Sequence, residues 1–519
     1  MSNAKREADR TGLYPVLLAI ACVFLLTALN YSLKNTLSMG EAQTFTYAKS
    51  FADPDYVPDD WFLSREAPLR LPYQVLVYPL VKVLPLSTAA LTARLLGYLF
   101  VSIAIGLLAS RLRIHPFYTS IAVATYLLFD QSLLPGQEWI FKLAESKTIA
   151  YGLVLMALYC VTGKRYQVAG ALLGLATTMH ILVGGWSTLA MILVVLVYCK
   201  PPWKEFFLTG AWWIVTGSFA VYSMLDRLLE TPAEVDEQFQ HIWTYFRNVH
   251  YVDITRWNWL AFPTIVFVFL LIALWKTPRM HPGRPEFVVV SRFALFTLAP
   301  FAAGLMVFPF SFGPKLLQLL PFRVADTLIP LLGLLITIPL LFRPDVFHRL
   351  RLPLASLLLL VGLISAYNGL QRGIHQYQLY PDGGYWGSSS ETVQLHTLCE
   401  EVKRESPPGS RIIASPKLNV IPYLCERPVV VSFRDVPTEQ ADIAEWYRRL
   451  IDFNGGTPPR QRGYSAASEI ERNFNRLSTE EYLRLGQKYE GDYLLVNRPD
   501  RLNLPPVLRI GSWYLYELE

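Results

Sequence analysis

From residue 13 to residue 368 the chain alternates long apolar runs with short polar linkers, and beyond residue 368 it does not. A helix needs about 20 mostly apolar residues to cross a bilayer. The pattern predicts spans at 13–33, 88–110, 116–134, 147–162, 166–183, 185–199, 206–224, 258–275, 287–308, 324–342 and 353–368. The run at 71–84 is apolar but short and holds Pro79, which predicts a re-entrant or interfacial piece. After residue 368 the periodicity is that of a soluble α/β fold. Helices are predicted at 391–404 (capped from Ser388-Ser389-Ser390), 438–453 and 478–489. Strands are predicted at 411–415, 428–433 and 493–497, with a hairpin at 507–518 and a loop at 455–465. The expected division is therefore a membrane domain, 1–368, and an α/β domain, 369–519, large enough to bury its own core.

Basic residues are unevenly placed. Lys5, Arg6 and Arg10 precede the first span; Arg111 and Arg113 follow the second, and Lys164 and Arg165 the fourth. Lys200 and Lys204 follow the sixth, Lys276, Arg279 and Arg284 the eighth, and Arg343, Arg349 and Arg351 the tenth. Lys and Arg accumulate in cytoplasmic loops. The N-terminus is thus expected inside and residues 369–519 outside, with compact loops that suit a bacterial inner membrane. No small-residue cleavage site follows Leu33, so the first span reads as an uncleaved anchor.

Composition agrees: 17% of residues are charged, against about a quarter in soluble domains. The linkers account for the net charge of +6. There is no basic stripe with interleaved aromatics, so nucleic acid is excluded as a partner. Cys22, Cys160 and Cys199 fall in or beside spans as small hydrophobes. Cys399 and Cys425 either remain thiols or, in an oxidising compartment, pair. No metal-binding spacing is present.

The chemistry lies in the external loops, 34–70, 135–147, 225–257 and 309–323. GEAQTFTYAKSFADPDY (40–56) predicts a short interfacial helix with Ala42, Phe45, Ala48 and Phe51 on one side. Acidic Glu66 lies further along the same loop, and Asp53, Asp55, Asp59 and Asp60 flank prolines as turn and cap residues. A divalent cation is compatible with their clustering but is not required, and the cofactor is left unknown. In the second loop Glu138, Lys142, Glu145 and Lys147 recur at spacings that would pair Glu138 with Lys142 and Lys142 with Glu145 on a helix. They form either a cavity wall, in which Lys142 or Lys147 binds a phosphate, or a self-neutralising set at the interface. His180, near the outer end of the fifth span, either contacts substrate or is a hydrogen-bonded structural residue. Gly184-Gly185 permits a tight turn or close helix packing.

The third loop carries Trp243, Tyr245, Trp257 and Trp259 for the headgroup level, with Arg247, His250 and Arg256 either meeting a lipid phosphate or anchoring to headgroups. In the fourth, Lys315 and Arg323 reach the surface. A guanidinium matches phosphate oxygens bidentately, unless Arg323 instead pairs with Asp326 at i,i+3.

The stretch Gly40-Glu41-Ala42 followed by Tyr47-Ala48 resembles the acidic-acidic-x-x-x-Tyr-Ala pattern of GT-C glycosyltransferases, which use polyprenyl-phosphate sugars. One acid of the usual pair is kept, and Tyr-Ala is spaced more widely. GQEWIFKLAESKTIAYG (136–152) and GLATTMHILVGGW (174–186) are similar to segments of an uncharacterised bacterial branch of that superfamily. The resemblance implies a GT-C-like bundle of about eleven helices with an extracytoplasmic α/β domain. It implies an inverting glycosyl transfer from a lipid-linked sugar donor to an extracytoplasmic acceptor. Glu41 would be the catalytic base; Arg323, Lys315, Lys142 and Lys147 would bind the donor phosphate; Glu138, Glu145, His180 and Arg256 would line the substrate cavity.

Two other readings stand beside it. A transporter or flippase of a lipid-linked or small polar substrate predicts midplane charges and an internal repeat, whereas the charges here gather at one face. A non-catalytic envelope assembly protein predicts that the first-loop charges are replaceable.

Overall fold

The computed structural model describes residues 2–65, 67–230, 233–342, 351–385, 389–437, 439–498 and 502–518. Glu66, Arg343, Arg349 and Ser388, all invoked above, lie outside them. Every predicted span contains helix, although the one at 116–134 ends at Leu128 and the one at 166–183 breaks at His180. The first is Ser2–Thr27 continued by Ala28–Ser32, followed by Leu86–Arg111, Pro116–Leu128, Ser146–Thr162 and Tyr166–Met179. Ile181–Val194 runs on as Val195–Cys199, then come Trp203–Glu230, Phe262–Met280, Pro285–Phe296 with Leu298–Val307, Arg323–Leu341 and Arg351–Leu379. Among the described residues, eight of these helices are long and apolar enough to cross a membrane, while Pro116–Leu128 and Ser146–Thr162 are apolar but shorter. The chain is an integral membrane protein. The short run at 71–84 is a helix too, Leu71–Val83, with Pro79 inside it.

The chain forms two compact units. The first holds residues 1–33, 94–226 and 250–372. Arg323–Leu341 is its centre and is buried on nearly every side, as befits a helix that is apolar all round beyond its first turn. It packs on Pro116–Leu128, Phe262–Met280 and Pro285–Phe296. Trp203–Asp226 is buried over only 17% of its apolar stretch. It meets Tyr166–Met179 where Gly170 and Gly174 leave room: a Cβ there would stand 2.2 Å from Thr209 O and 2.5 Å from Trp213 O. Such small-xxx-small contacts let helix backbones approach in a membrane.

The second unit holds residues 34–93, 227–249 and 373–519. β1 (Thr36–Leu37) pairs in parallel with β2 (Gly384–Tyr385), Thr36 opposite Gly384. A second sheet contains β3 (Ile412–Ala414), β4 (Tyr493–Asn497), β5 (Pro506–Ile510) and β6 (Trp513–Glu517) in the order β3-β4-β6-β5. The β3–β4 pair is parallel; the others are antiparallel. Helices Ser390–Glu405, Gln440–Phe453, Tyr464–Phe474 and Thr479–Tyr489 accompany it. Ser389 caps the first, and Ser478 with Glu481 forms a capping box on the last.

Two predictions in this unit differ from the structure. The 428–433 run forms no strand, and among the described residues it makes one isolated bridge, Val429 with Ile412. Two of its carbonyls are taken by side chains: Trp446 Nε1 donates to Ser432 O at 2.8 Å, and Arg449 Nη1 to Val430 O at 2.8 Å. The predicted loop passes at Tyr464 into a helix, because Ala466, Ala467, Ile470 and Phe474 recur at helical spacing and are buried. Tyr47, Trp61, Phe62, Phe239 and Phe246 from the two external loops share one core with Trp446, Phe453 and Tyr482. Cys399 and Cys425 are disulfide-bonded.

Candidate functional site

In the first unit, the loop between Pro116–Leu128 and Ser146–Thr162 is folded by buried side-chain clamps. Gln131 Oε1 accepts from Ile140 N at 2.9 Å and Phe141 N at 2.6 Å. Thr148 Oγ1 donates to Ile140 O at 2.8 Å, and Thr327 Oγ1 to Gln131 O at 2.9 Å. Asp326 Oδ1 accepts from Leu133 N at 2.9 Å and Leu134 N at 2.6 Å. Asp130, Gln131 and Gln137 all have positive φ, a conformation that costs non-glycine residues and persists only where the surroundings enforce it. Gly136 is required here: a Cβ would stand 2.7 Å from Asp326 Oδ2.

This loop presents Glu138. Its Oε1 lies 3.0 Å from Lys147 Nζ and its Oε2 lies 2.5 Å from Arg323 Nε. Only 3% of the Glu138 side chain, 6% of Lys147 and 17% of Arg323 are exposed. Burial alone would raise the Glu138 carboxyl; the Arg323 guanidinium and then the Lys147 ammonium outweigh it and hold it below the usual carboxylate range. Glu145 stands 3.8 Å from Lys147 at the start of the following helix. Lys147 Nζ sits 3.5 Å above the Trp139 ring, and Arg323 Cζ 5.0 Å from the centre of Tyr251. His180 breaks the helix between Met179 and Ile181, accepts from Val183 N through Nδ1 at 3.3 Å, and lies within electrostatic reach of Glu138, Lys147 and Arg323. The adjacent Gly184 packs against the Thr177 backbone, where no Cβ fits.

The structure thus gathers Glu138, Lys147, Arg323, Glu145 and His180. It leaves out three predicted residues. Lys142 pairs with exposed Asp130 at 2.6 Å, because residues 136–145 are irregular and the helical Glu138–Lys142 and Lys142–Glu145 pairs do not form. Arg256 pairs with Asp253 at 3.0 Å. Lys315 is exposed on the short helix Pro314–Leu317. The Arg323–Asp326 pair does not form either, since Asp326 accepts loop amides. Trp139, Tyr251 and the clamp residue Gln131 were not singled out from sequence. Only Trp139, beside Glu138, had a signal there.

In the second unit Glu41 is fully buried in the first turn of the helix Met39–Ala52. Its Oε2 accepts from Ser38 N and Ser38 Oγ, each at 3.1 Å, as the third residue of a capping box. Ala42, Phe45 and Ala48 are buried with it, while Phe51 is exposed. Asp60 Oδ1 accepts from Phe62 N and Leu63 N at 3.0 Å each, and its Oδ2 from Val429 N at 2.9 Å. Asp53 Oδ1 accepts from Asp55 N at 3.3 Å. Both Asp60 oxygens and one of Asp53 are thus engaged, and among the described residues no three His, Cys, Asp or Glu converge. Arg247 is buried between the rings of Phe433 and Tyr464, at 5.1 and 5.0 Å, rather than meeting headgroups.

Comparison with known proteins gives limited matches. Residues 394–453 match a family described as a domain of unknown function, DUF6798. No curated protein matches. Two solved structures follow a similar chain course. One is ArnT from Cupriavidus metallidurans in the apo state, 14% identical, with 98% of both chains covered and a TM-score of 0.48. The other is the Archaeoglobus fulgidus oligosaccharyltransferase tethered to an acceptor peptide containing the NVT sequon, 11% identical. It covers 94% of this chain and 69% of its own, with a TM-score of 0.44. Identities this low say nothing about the role of any one residue.

Proposed function

We propose that the chain is an inverting glycosyltransferase that moves a sugar from a polyprenyl-phosphate carrier to an acceptor outside the cytoplasm. The observation that carries this reading is the pair of buried cations, Arg323 and Lys147, held on the two oxygens of Glu138. Buried charges near apolar spans are costly and mark functional sites by default. Arg323 and Lys147 would hold the donor phosphate. As the bond from the sugar C1 to the phosphate oxygen breaks, the leaving lipid phosphate gains negative charge, which these cations stabilise. Trp139 and Tyr251 offer aromatic faces beside them. The base role stays with Glu41, on its place in the sequence pattern: it takes the proton of the acceptor hydroxyl whose oxygen attacks C1. The Cys399–Cys425 disulfide supports an oxidising, extracytoplasmic setting for the second unit.

The test compares wild type, a deletion, Glu41→Gln and Arg323→Gln at equal membrane abundance, profiling envelope glycans and lipid-linked sugars by mass spectrometry. Both variants are expected to lose the same glycan, or accumulate the same lipid-linked precursor, as the deletion. If the deletion alters the envelope and both variants behave as wild type, the reading fails and transport or assembly takes its place.

A further inference from the structure

On the first unit, away from the residues assigned above, an open groove of about 610 Å³ is lined by Leu128, Val361, Ile364, Ser365, Asn368, Gln371 and Arg372. Its two halves differ. Leu128, Val361 and Ile364 are exposed apolar side chains, and Ser365, Asn368, Gln371 and Arg372 follow along the same helix. Arg351, the last basic residue before the apolar run, and Arg372 stand 21 residues apart on one helix. At 1.5 Å per residue that is about 32 Å, enough to span a hydrocarbon core about 30 Å thick. An exposed apolar half thus sits at acyl-chain depth, and a guanidinium sits at headgroup depth.

The charge at the polar end is specific. Arg372 uses Nε to donate to Asn368 O at 3.3 Å and has no ion-pair partner among the described residues. Asp130 lies within electrostatic reach of the same Tyr31 as Arg372, and it is paired with Lys142 at 2.6 Å. One positive charge remains, flanked by the Asn368 and Gln371 amides, while the Ser365 hydroxyl donates to Asn30 Oδ1 at 2.7 Å. That matches a phosphodiester, with a single negative charge and a headgroup that hydrogen-bonds. A phosphomonoester, nearer two charges, calls for a second cation.

We infer that this groove is a binding site for an anionic membrane phospholipid. Its chain lies along Leu128, Val361 and Ile364, and its phosphodiester meets Arg372. Basic pockets between membrane helices bind lipid headgroups in this manner.

The test uses the full-length protein in detergent, supplied with phosphatidylglycerol and observed by native mass spectrometry. Wild type is expected to retain one phosphatidylglycerol in preference to phosphatidylcholine. Arg372→Ala is expected to cut retention about five-fold, the weight of one basic residue at a headgroup. Ile364→Trp, which fills the groove and leaves the charge, is expected to do the same, and Arg372→Lys to keep most of the binding. Equal retention by wild type and both Arg372→Ala and Ile364→Trp overturns the site. So does equal retention of phosphatidylcholine, which indicates unspecific boundary lipid. Displacement of phosphatidylglycerol by undecaprenyl phosphate at equal concentration overturns the phosphodiester assignment.

Discussion

Arg323 Nε lies 2.5 Å from Glu138 Oε2, in place of the i,i+3 pair with Asp326 that the sequence spacing favoured. The exchange follows from the clamps on the loop. Asp326 is fully buried and already accepts the amides of Leu133 and Leu134, so Arg323 finds its counter-charge in Glu138 instead. One carboxylate then holds two cations, since Lys147 takes the other oxygen at 3.0 Å.

Glu138→Gln is expected to destabilise the protein more than Lys147→Met does. Removing one partner of a buried charge pair costs about 3–5 kcal/mol, because the remaining charge is left uncompensated. Glu138→Gln strands Arg323 and leaves Lys147 only the more distant Glu145 at 3.8 Å, whereas Lys147→Met leaves Glu138 paired with Arg323. Thermal unfolding in detergent checks the order, and the double variant Glu138→Gln/Lys147→Met should recover part of the loss. Equal effects for the two single variants would mean that Glu138 is not the shared counter-ion.

Gly136→Ala tests whether the loop is as tightly held as its contacts indicate. The added methyl would sit 2.7 Å from Asp326 Oδ2, and overpacking of this kind typically costs about 1–3 kcal/mol. Gly185→Ala, where nothing lies within 4 Å, is the matched control and is expected to leave the melting temperature unchanged.

The membrane helices were legible because a span is dictated by length and apolarity, which need no knowledge of neighbours. The capping box at Ser478 and the hairpin ending at Glu517 were legible for the same local reason. The pairing within the candidate site was not. Lys142 and Lys147 have similar sequence surroundings, yet Lys147 joins Glu138 while Lys142 turns to Asp130. What separates them is the irregular backbone of residues 136–145, set by Gln131, Thr148 and Asp326 through contacts from 5 to 193 residues apart. The 428–433 run failed as a strand for a related reason: the Trp446 and Arg449 side chains claim the Ser432 and Val430 carbonyls.

Reduction of the Cys399–Cys425 disulfide is expected to destabilise the second unit. It closes a loop of 26 residues, for which the chain-entropy model gives about 3.5 kcal/mol. Protein isolated without reductant should show no free thiol at these two positions in alkylation mass spectrometry. Cys399→Ser/Cys425→Ser should melt lower than wild type in the absence of reductant and equally with it. Quantitative alkylation of both residues in freshly isolated membranes would place them in a reducing compartment.

Asp435 gives the second unit a pH dependence of unusual sign. It lines a small buried space with Asp60, Thr46 and Trp61, and its Oδ1 and the Trp61 N–H have no hydrogen-bond partner among the described residues. Burial, aided by the nearby Asp60 charge, pushes the Asp435 carboxyl up to about 6, against the opposing effects of the Ser432 hydrogen bond and of Arg434 and Arg70. Asp60 is raised in the same direction by burial, against its three backbone hydrogen bonds. A carboxyl whose folded value exceeds its unfolded value of 3.8 binds more protons folded than unfolded between those values. Its stabilising contribution is therefore complete below about pH 4 and is lost as pH rises through about 6. At 1.36 kcal/mol per unit, the loss on reaching neutral pH is about 3 kcal/mol. Asp435→Asn removes that slope. Relative to wild type it is expected to be more stable at pH 7.5 and to lose the advantage towards pH 4, in melting curves followed across that range. An Asp435→Asn difference that stays constant with pH would show that the carboxyl titrates alike in the folded and unfolded chain.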